Sequence, residues 1–125
     1  MHEVRLVFVA LQFFTRTPIP RWVGFEPDWL QQSARHFALI GIFVGIVGAL
    51  VLWLASRVLP LPVAVLLSMA STMLLTGGFH EDGWADTCDG LGGAVSRERA
   101  LEIMKDSRIG AYGAMGLLMM LALKA

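Results

Sequence analysis

Apolar positions along the chain fall into long blocks separated by short polar stretches, and neither strict alternation nor a soluble amphipathic stripe dominates. From Phe37 to Leu59 the sequence reads FALIGIFVGIVGALVLWLASRVL, with no charge before Arg57. That length suits a helix crossing a hydrocarbon core of about 30 Å. From Pro62 to Phe79 a second uncharged run, PVAVLLSMASTMLLTGGF, reaches about the minimum spanning length. Pro60, Leu61 and Pro62 lie between them and favour a tight break. The pattern predicts a membrane-crossing helical hairpin. Gly41, Gly45 and Gly48 recur at helical spacing in the first run and predict close helix packing.

On either side of the hairpin the pattern changes. Leu6–Phe14 (LVFVALQFF) is too short to span and lacks a small-x-small cleavage site after it, so a surface-lying or re-entrant helix is expected. Pro18, Pro20 and Pro27 mark a loop leading to Trp29–His36. After Gly110 the chain enters AMGLLMMLALKA, about a dozen apolar residues, read as a third membrane helix cut short. The expected organisation is one all-α, polytopic membrane-embedded unit. Residues 1–36 are interfacial or re-entrant and cytoplasmic, 37–59 and 62–79 cross, 80–109 form a cytoplasmic, Asp-rich helical loop, and 110–125 start the next crossing. Such a piece is expected to be inactive alone.

Composition supports this reading. The 125 residues are 56% hydrophobic and 16% charged, against about 25% charged in a typical soluble domain. Ten basic and ten acidic residues balance, which excludes a broad basic surface for nucleic acid. The single cysteine, Cys88, excludes a disulfide framework or a CxxC metal site. Arg5, Arg16, Arg21 and Arg35 precede the first run and Arg97, Arg99, Lys105 and Arg108 follow the second, whereas the hairpin tip holds only Arg57. Basic residues prefer the cytoplasmic side, so the N-terminus and the loop after Phe79 are both expected there.

The candidate chemistry lies between Gly77 and Gly113, which holds seven of the ten acidic residues. In GGFHEDGWADTCDG, Asp82, Asp86 and Asp89 stand at i, i+4 and i+7, one face of a helix. Like charges at that spacing repel, and no lysine or arginine stands among them. Hard oxygen ligands suit Mg²⁺ or Mn²⁺, with substrate phosphates completing the shell. Ser96 is a good N-cap for a following helix, with Glu98 compensating the dipole in its first turn and Lys105 and Arg108 at its end. Those two basic residues could equally serve as counter-charges for a phosphorylated substrate.

The run GGFHEDGWADTCDG, then LEIMKDSRIGAYG, with the early FFTRTPIP, closely resembles the cobalamin synthase (adenosylcobinamide-GDP ribazoletransferase) family, in order and spacing over nearly the whole chain. The resemblance implies an inner-membrane, Mg²⁺-dependent transferase of substituted phosphate groups, about twice this length. A ribose hydroxyl of α-ribazole, or of its 5′-phosphate, would attack the phosphorus attached to cobinamide and release GMP. The family motifs fall on His80, Asp82, Gly83, Asp86, Asp89 and Gly90, and on Lys105, Asp106, Ser107 and Gly110. Asp82, Asp86, Asp89 and Asp106 are then expected to hold the metal, and His80 or an aspartate to act as base. Lys105, Ser107, Arg108 and Arg16 are expected to bind substrate, and a homo-oligomer is left open. Two other readings are weaker. A CDP-alcohol phosphotransferase would need a basic residue where Asp86 stands, and an ion-coupled transporter would need carboxylates inside Phe37–Gly78.

Overall fold

The computed structural model describes all 125 residues and contains helices and turns without a strand. The helices are α1 (His2–Phe14), α2 (Pro27–Ser33), α3 (Phe37–Ala55), α4 (Leu61–Thr76), α5 (Phe79–Gly93), α6 (Arg97–Ile103) and α7 (Ala111–Lys124). Contacts divide them into two compact units, Met1–Gly77 and Gly78–Ala125.

In the first unit α3 and α4 pack as the expected hairpin. Both are shorter than the apolar runs that encode them. α3 ends at Ala55 in a turn where the Arg57 guanidinium stacks 4.6 Å over the Trp53 ring. α4 stops at Thr76 because Gly77 and Gly78 take left-handed conformations (φ 69° and 75°), which glycine adopts without steric cost. At 16 residues α4 reaches about 24 Å, less than the roughly 30 Å of a hydrocarbon core. The continuous run Pro27–Ala55 is the one helical stretch long and apolar enough to cross a membrane by itself, and only 11% of its apolar window is buried. Of the glycine stripe, only Gly48 packs within this chain. A Cβ there would lie 2.9 Å from Thr72 Cγ2, and the Ser68 hydroxyl donates to the Gly48 carbonyl at 2.8 Å. Gly41 and Gly45 face open space.

The N-terminal segment builds its own small core. Leu6 and Val9 of α1 pack on Val23 and Trp29, with Phe8, Ile19 and Leu30 around them. Glu3 ties the layer to the start of α3 through Arg35 at 2.8 Å and His36 at 3.1 Å. The Thr15–Pro20 stretch has a definite place. The Thr15 hydroxyl donates to the Leu11 carbonyl and accepts from the Thr17 amide, which closes the end of α1. The Arg16 amide then donates to the Leu75 carbonyl at 2.8 Å, and its side chain lies over Gly77, where any Cβ would collide with it.

In the second unit α5 packs antiparallel along α7, and α6 packs on α5. Residues 80–109, expected from the sequence as a helical loop, are largely helical. Ser96 caps α6, its hydroxyl accepting from the Arg99 amide at 3.2 Å. α6 ends at Ile103, so Lys105 and Arg108 follow the helix instead of forming its last turn.

Replacing Gly48 by leucine should overpack the α3–α4 contact and cost about 1–3 kcal/mol, whereas Gly45→Ala should leave this contact unchanged. Thermal unfolding of the purified protein in detergent reads the difference.

Candidate active site

α5 is encoded by unfavourable material for a helix, including Asp82, Asp86, Asp89 and several glycines. Its formation depends on the surface it covers. Ala85 and Gly90 are buried against neighbouring helices, and the small residues of α7 let the two backbones approach. Tyr112 lies across Gly92, Cys88 and Trp84 lie against Gly116, and the Trp84 indole donates to the Gly116 carbonyl at 3.0 Å.

This packing divides the three aspartates that share the helix face. Asp89 is 8% exposed. Its Oδ2 accepts from the Gly110 amide and its Oδ1 from the Gly113 amide, each at 2.7 Å. Those are two of the amides that the start of α7 leaves without intrahelical partners, and the carboxylate also complements the positive end of the helix dipole. Asp89 is therefore a capping residue supplied by a different helix, and both its oxygens are engaged.

Asp82 is exposed and Asp86 half-buried, with no ion pair to either. Desolvation, followed by the charges of Asp82 and Asp89, pushes the Asp86 carboxyl above its ordinary range. His80, exposed one turn before Gly83, stacks edge-on with Phe79 at 5.5 Å. Asp106 sits in the turn between α6 and α7 and is gripped by Arg108. The guanidinium donates to Oδ2 at 2.6 Å and to Oδ1 at 3.1 Å, and the Arg108 amide also donates to Oδ1. These bonds hold the Asp106 carboxyl at about 2 and raise the Arg108 guanidinium further. Lys105 and Ser107 flank that pair on the exposed turn, and Arg16 belongs to the other unit.

The four aspartates expected to hold metal thus do not converge, and no three His, Cys, Asp or Glu side chains are gathered closely enough to share an ion. Asp82 and Asp86 nevertheless fit a divalent cation by their chemistry: two hard carboxylates one turn apart, mutually repelling and without a basic neighbour. An open groove of about 390 Å³ beside the C-terminal end of α5 is lined by Leu91, Val95, Ser96, Ala100 and Leu101 among others, and of the motif residues it contains only Gly90. Sequence reasoning missed Glu81, Trp84 and Lys124, whose roles depend on which face of α5 meets α7.

The Asp106–Arg108 pair has a definite pH signature. Its folded-state pKa is lowered, so its contribution is present above the ordinary value of 3.8 and lost as pH falls through about 2. In a carboxyl-resolved NMR titration, Arg108→Gln should return Asp106 toward 3.8; an unchanged midpoint would contradict the pairing.

Comparison with known proteins gives this geometry a context. The profile of the cobalamin-5-phosphate synthase family matches residues 6–125. A protein of Leptothrix cholodnii named adenosylcobinamide-GDP ribazoletransferase is 70% identical over all 125 residues, which cover 47% of its length. Proteins of the same name from Shewanella oneidensis and Shewanella frigidimarina are 53% and 50% identical, covering 98% and 99% of this chain and 47% and 48% of theirs. No solved structure matches. The chain spans about half the length of these curated relatives, and with its family match running from Leu6 to the last residue it belongs to the cobalamin-5-phosphate synthase family.

Proposed function

We propose that this chain supplies the acidic part of the active site of a membrane-embedded adenosylcobinamide-GDP ribazoletransferase. Two lines support the reading: relatives of that name match the chain from end to end, and Asp82 and Asp86 form an uncompensated carboxylate pair on α5. In the proposed reaction a ribose hydroxyl oxygen of α-ribazole, or of its 5′-phosphate, bonds to the phosphorus attached to adenosylcobinamide. The bridging P–O bond breaks, GMP leaves with the electron pair, and the hydroxyl proton passes to a base. Adenosylcobalamin, or its 5′-phosphate, is the other product.

Asp82 and Asp86 would hold Mg²⁺, which when bound supplies charge neutralisation at the pyrophosphate. Asp89 orients α5, and its own charge adds to the negative field at Asp86. Asp106 is committed to Arg108 and would reach a metal only by exchanging that partner. Lys105, Ser107 and Arg108, on one exposed turn, would receive phosphate oxygens. His80 is the nearest imidazole in sequence to the carboxylates and is proposed as the base.

The exposed apolar face of α3, including Ile42, Ile46, Leu50 and Trp53, suits lipid or further helices of the same protein. We place the protein in the inner membrane with several crossings, its N-terminus and the α5–α6 segment on the cytoplasmic side, following the distribution of arginine and lysine.

The test is GMP release from adenosylcobinamide-GDP and α-ribazole by full-length protein across Mg²⁺ concentrations. Asp82→Ala or Asp86→Ala should each lower the rate on the order of a thousandfold while membrane insertion persists. Glu98→Ala, which removes only first-turn compensation worth about 0.3–1 kcal/mol, should be nearly silent. Wild-type rates and unchanged Mg²⁺ dependence in Asp82→Ala and Asp86→Ala would overturn the site.

A further inference from the structure

α7 reads AYGAMGLLMMLALK, an apolar helix whose one charge is Lys124. That lysine, some thirteen residues and about 20 Å along the helix, keeps about half of its side chain exposed, so its ammonium can reach both water and a neighbouring helix. On α5, Glu81 presents the complementary charge. It is 8% exposed, on the face that packs against α7, and its Oε2 is buried without a hydrogen-bond partner. The antiparallel register brings the two together: Lys124 Nζ lies 3.5 Å from Glu81 Oε1.

We infer that Glu81 and Lys124 form a positioning ion pair that fixes the N-terminal half of α5 against α7. Three contacts then secure α5 at successive levels: Asp89 on the start of α7, the Trp84 indole on Gly116, and Glu81 on Lys124. The first acts through backbone amides and would tolerate rotation of the far end of α5. The pair at Glu81 removes that freedom. Because Asp82 is the next residue, rotation about the helix axis there moves its carboxylate directly. Glu81 touches none of the proposed reacting groups; it acts by holding its neighbour in place. This consequence for Asp82 rests on the transferase reading, whereas the pairing itself does not.

The experiment is a charge exchange in full-length protein: Glu81→Lys, Lys124→Glu, and both together. Each single change should lower the thermal unfolding midpoint in detergent by several degrees, since a buried charge loses its partner. Each should also reduce kcat about tenfold or more with KM changed little. The double exchange should recover most of both losses. Should the single variants fail to insert, Glu81→Gln and Lys124→Met provide the same comparison with milder changes. Independently of activity, Glu81→Cys and Lys124→Cys combined in a Cys88→Ser background should be joined by a short bifunctional thiol reagent in membranes. Failure of that crosslink, or a double exchange no better than the single changes, would overturn the pairing. Successful crosslinking, with wild-type full-length protein that releases no GMP, would leave the pair standing and remove the transferase reading instead.

Discussion

The second unit depends on one carboxylate. Asp89 accepts from two amides at the start of α7, and these bonds join the C-terminal half of α5 to a helix that begins some twenty residues later in the chain. The arrangement answers two costs at once. The first amides of α7 need acceptors, and a buried aspartate needs donors. A charged acceptor makes stronger bonds to amides than a neutral one, and a helix N-terminus favours negative charge. Glycines at 110 and 113 are part of the same device, because a side chain at either position would occupy the space of the carboxylate.

From that attachment follows the division of labour along α5. With Asp89 turned to α7, Asp82 and Asp86 lie on the more open part of the helix and carry charges that nothing in the chain neutralises. A helix bearing three aspartates on one face would be unstable alone. Burial of Ala85 and Gly90 and the bonds made by Asp89 and Trp84 offset that repulsion. The first unit shows a related economy, with the Arg16 amide meeting the Leu75 carbonyl near the end of α4, where carbonyls lack intrahelical donors. The TRTPIP motif thus has a structural role in closing α1 and engaging α4.

The sequence carried much of this legibly. Long uncharged runs gave the helical class and the hairpin, Pro60 and Pro62 its break, and Ser96 the start of α6. Helix ends were read less well, since hydropathy does not register that Gly77 and Gly78 turn left-handed or that the chain bends after Ala55. At the site, i, i+4, i+7 spacing correctly placed Asp82, Asp86 and Asp89 on one helix, but spacing alone could not reveal that α7 would claim Asp89. The same blindness to the facing helix hid Glu81 and Lys124, which are 43 positions apart and meet only through the antiparallel register. Asp106 had two basic neighbours within reach, and its turn geometry selects Arg108.

The order of the second unit turns on Asp89 working inward, toward α7, while its neighbours on the same face do not. Amide hydrogen exchange at Gly110 and Gly113, measured in full-length protein for wild type, Asp89→Ala and Asp82→Ala, addresses this directly. Both amides should be protected in wild type and in Asp82→Ala, and should exchange much faster in Asp89→Ala alone. Equal protection in all three proteins would mean that Asp89 does not hold the start of α7.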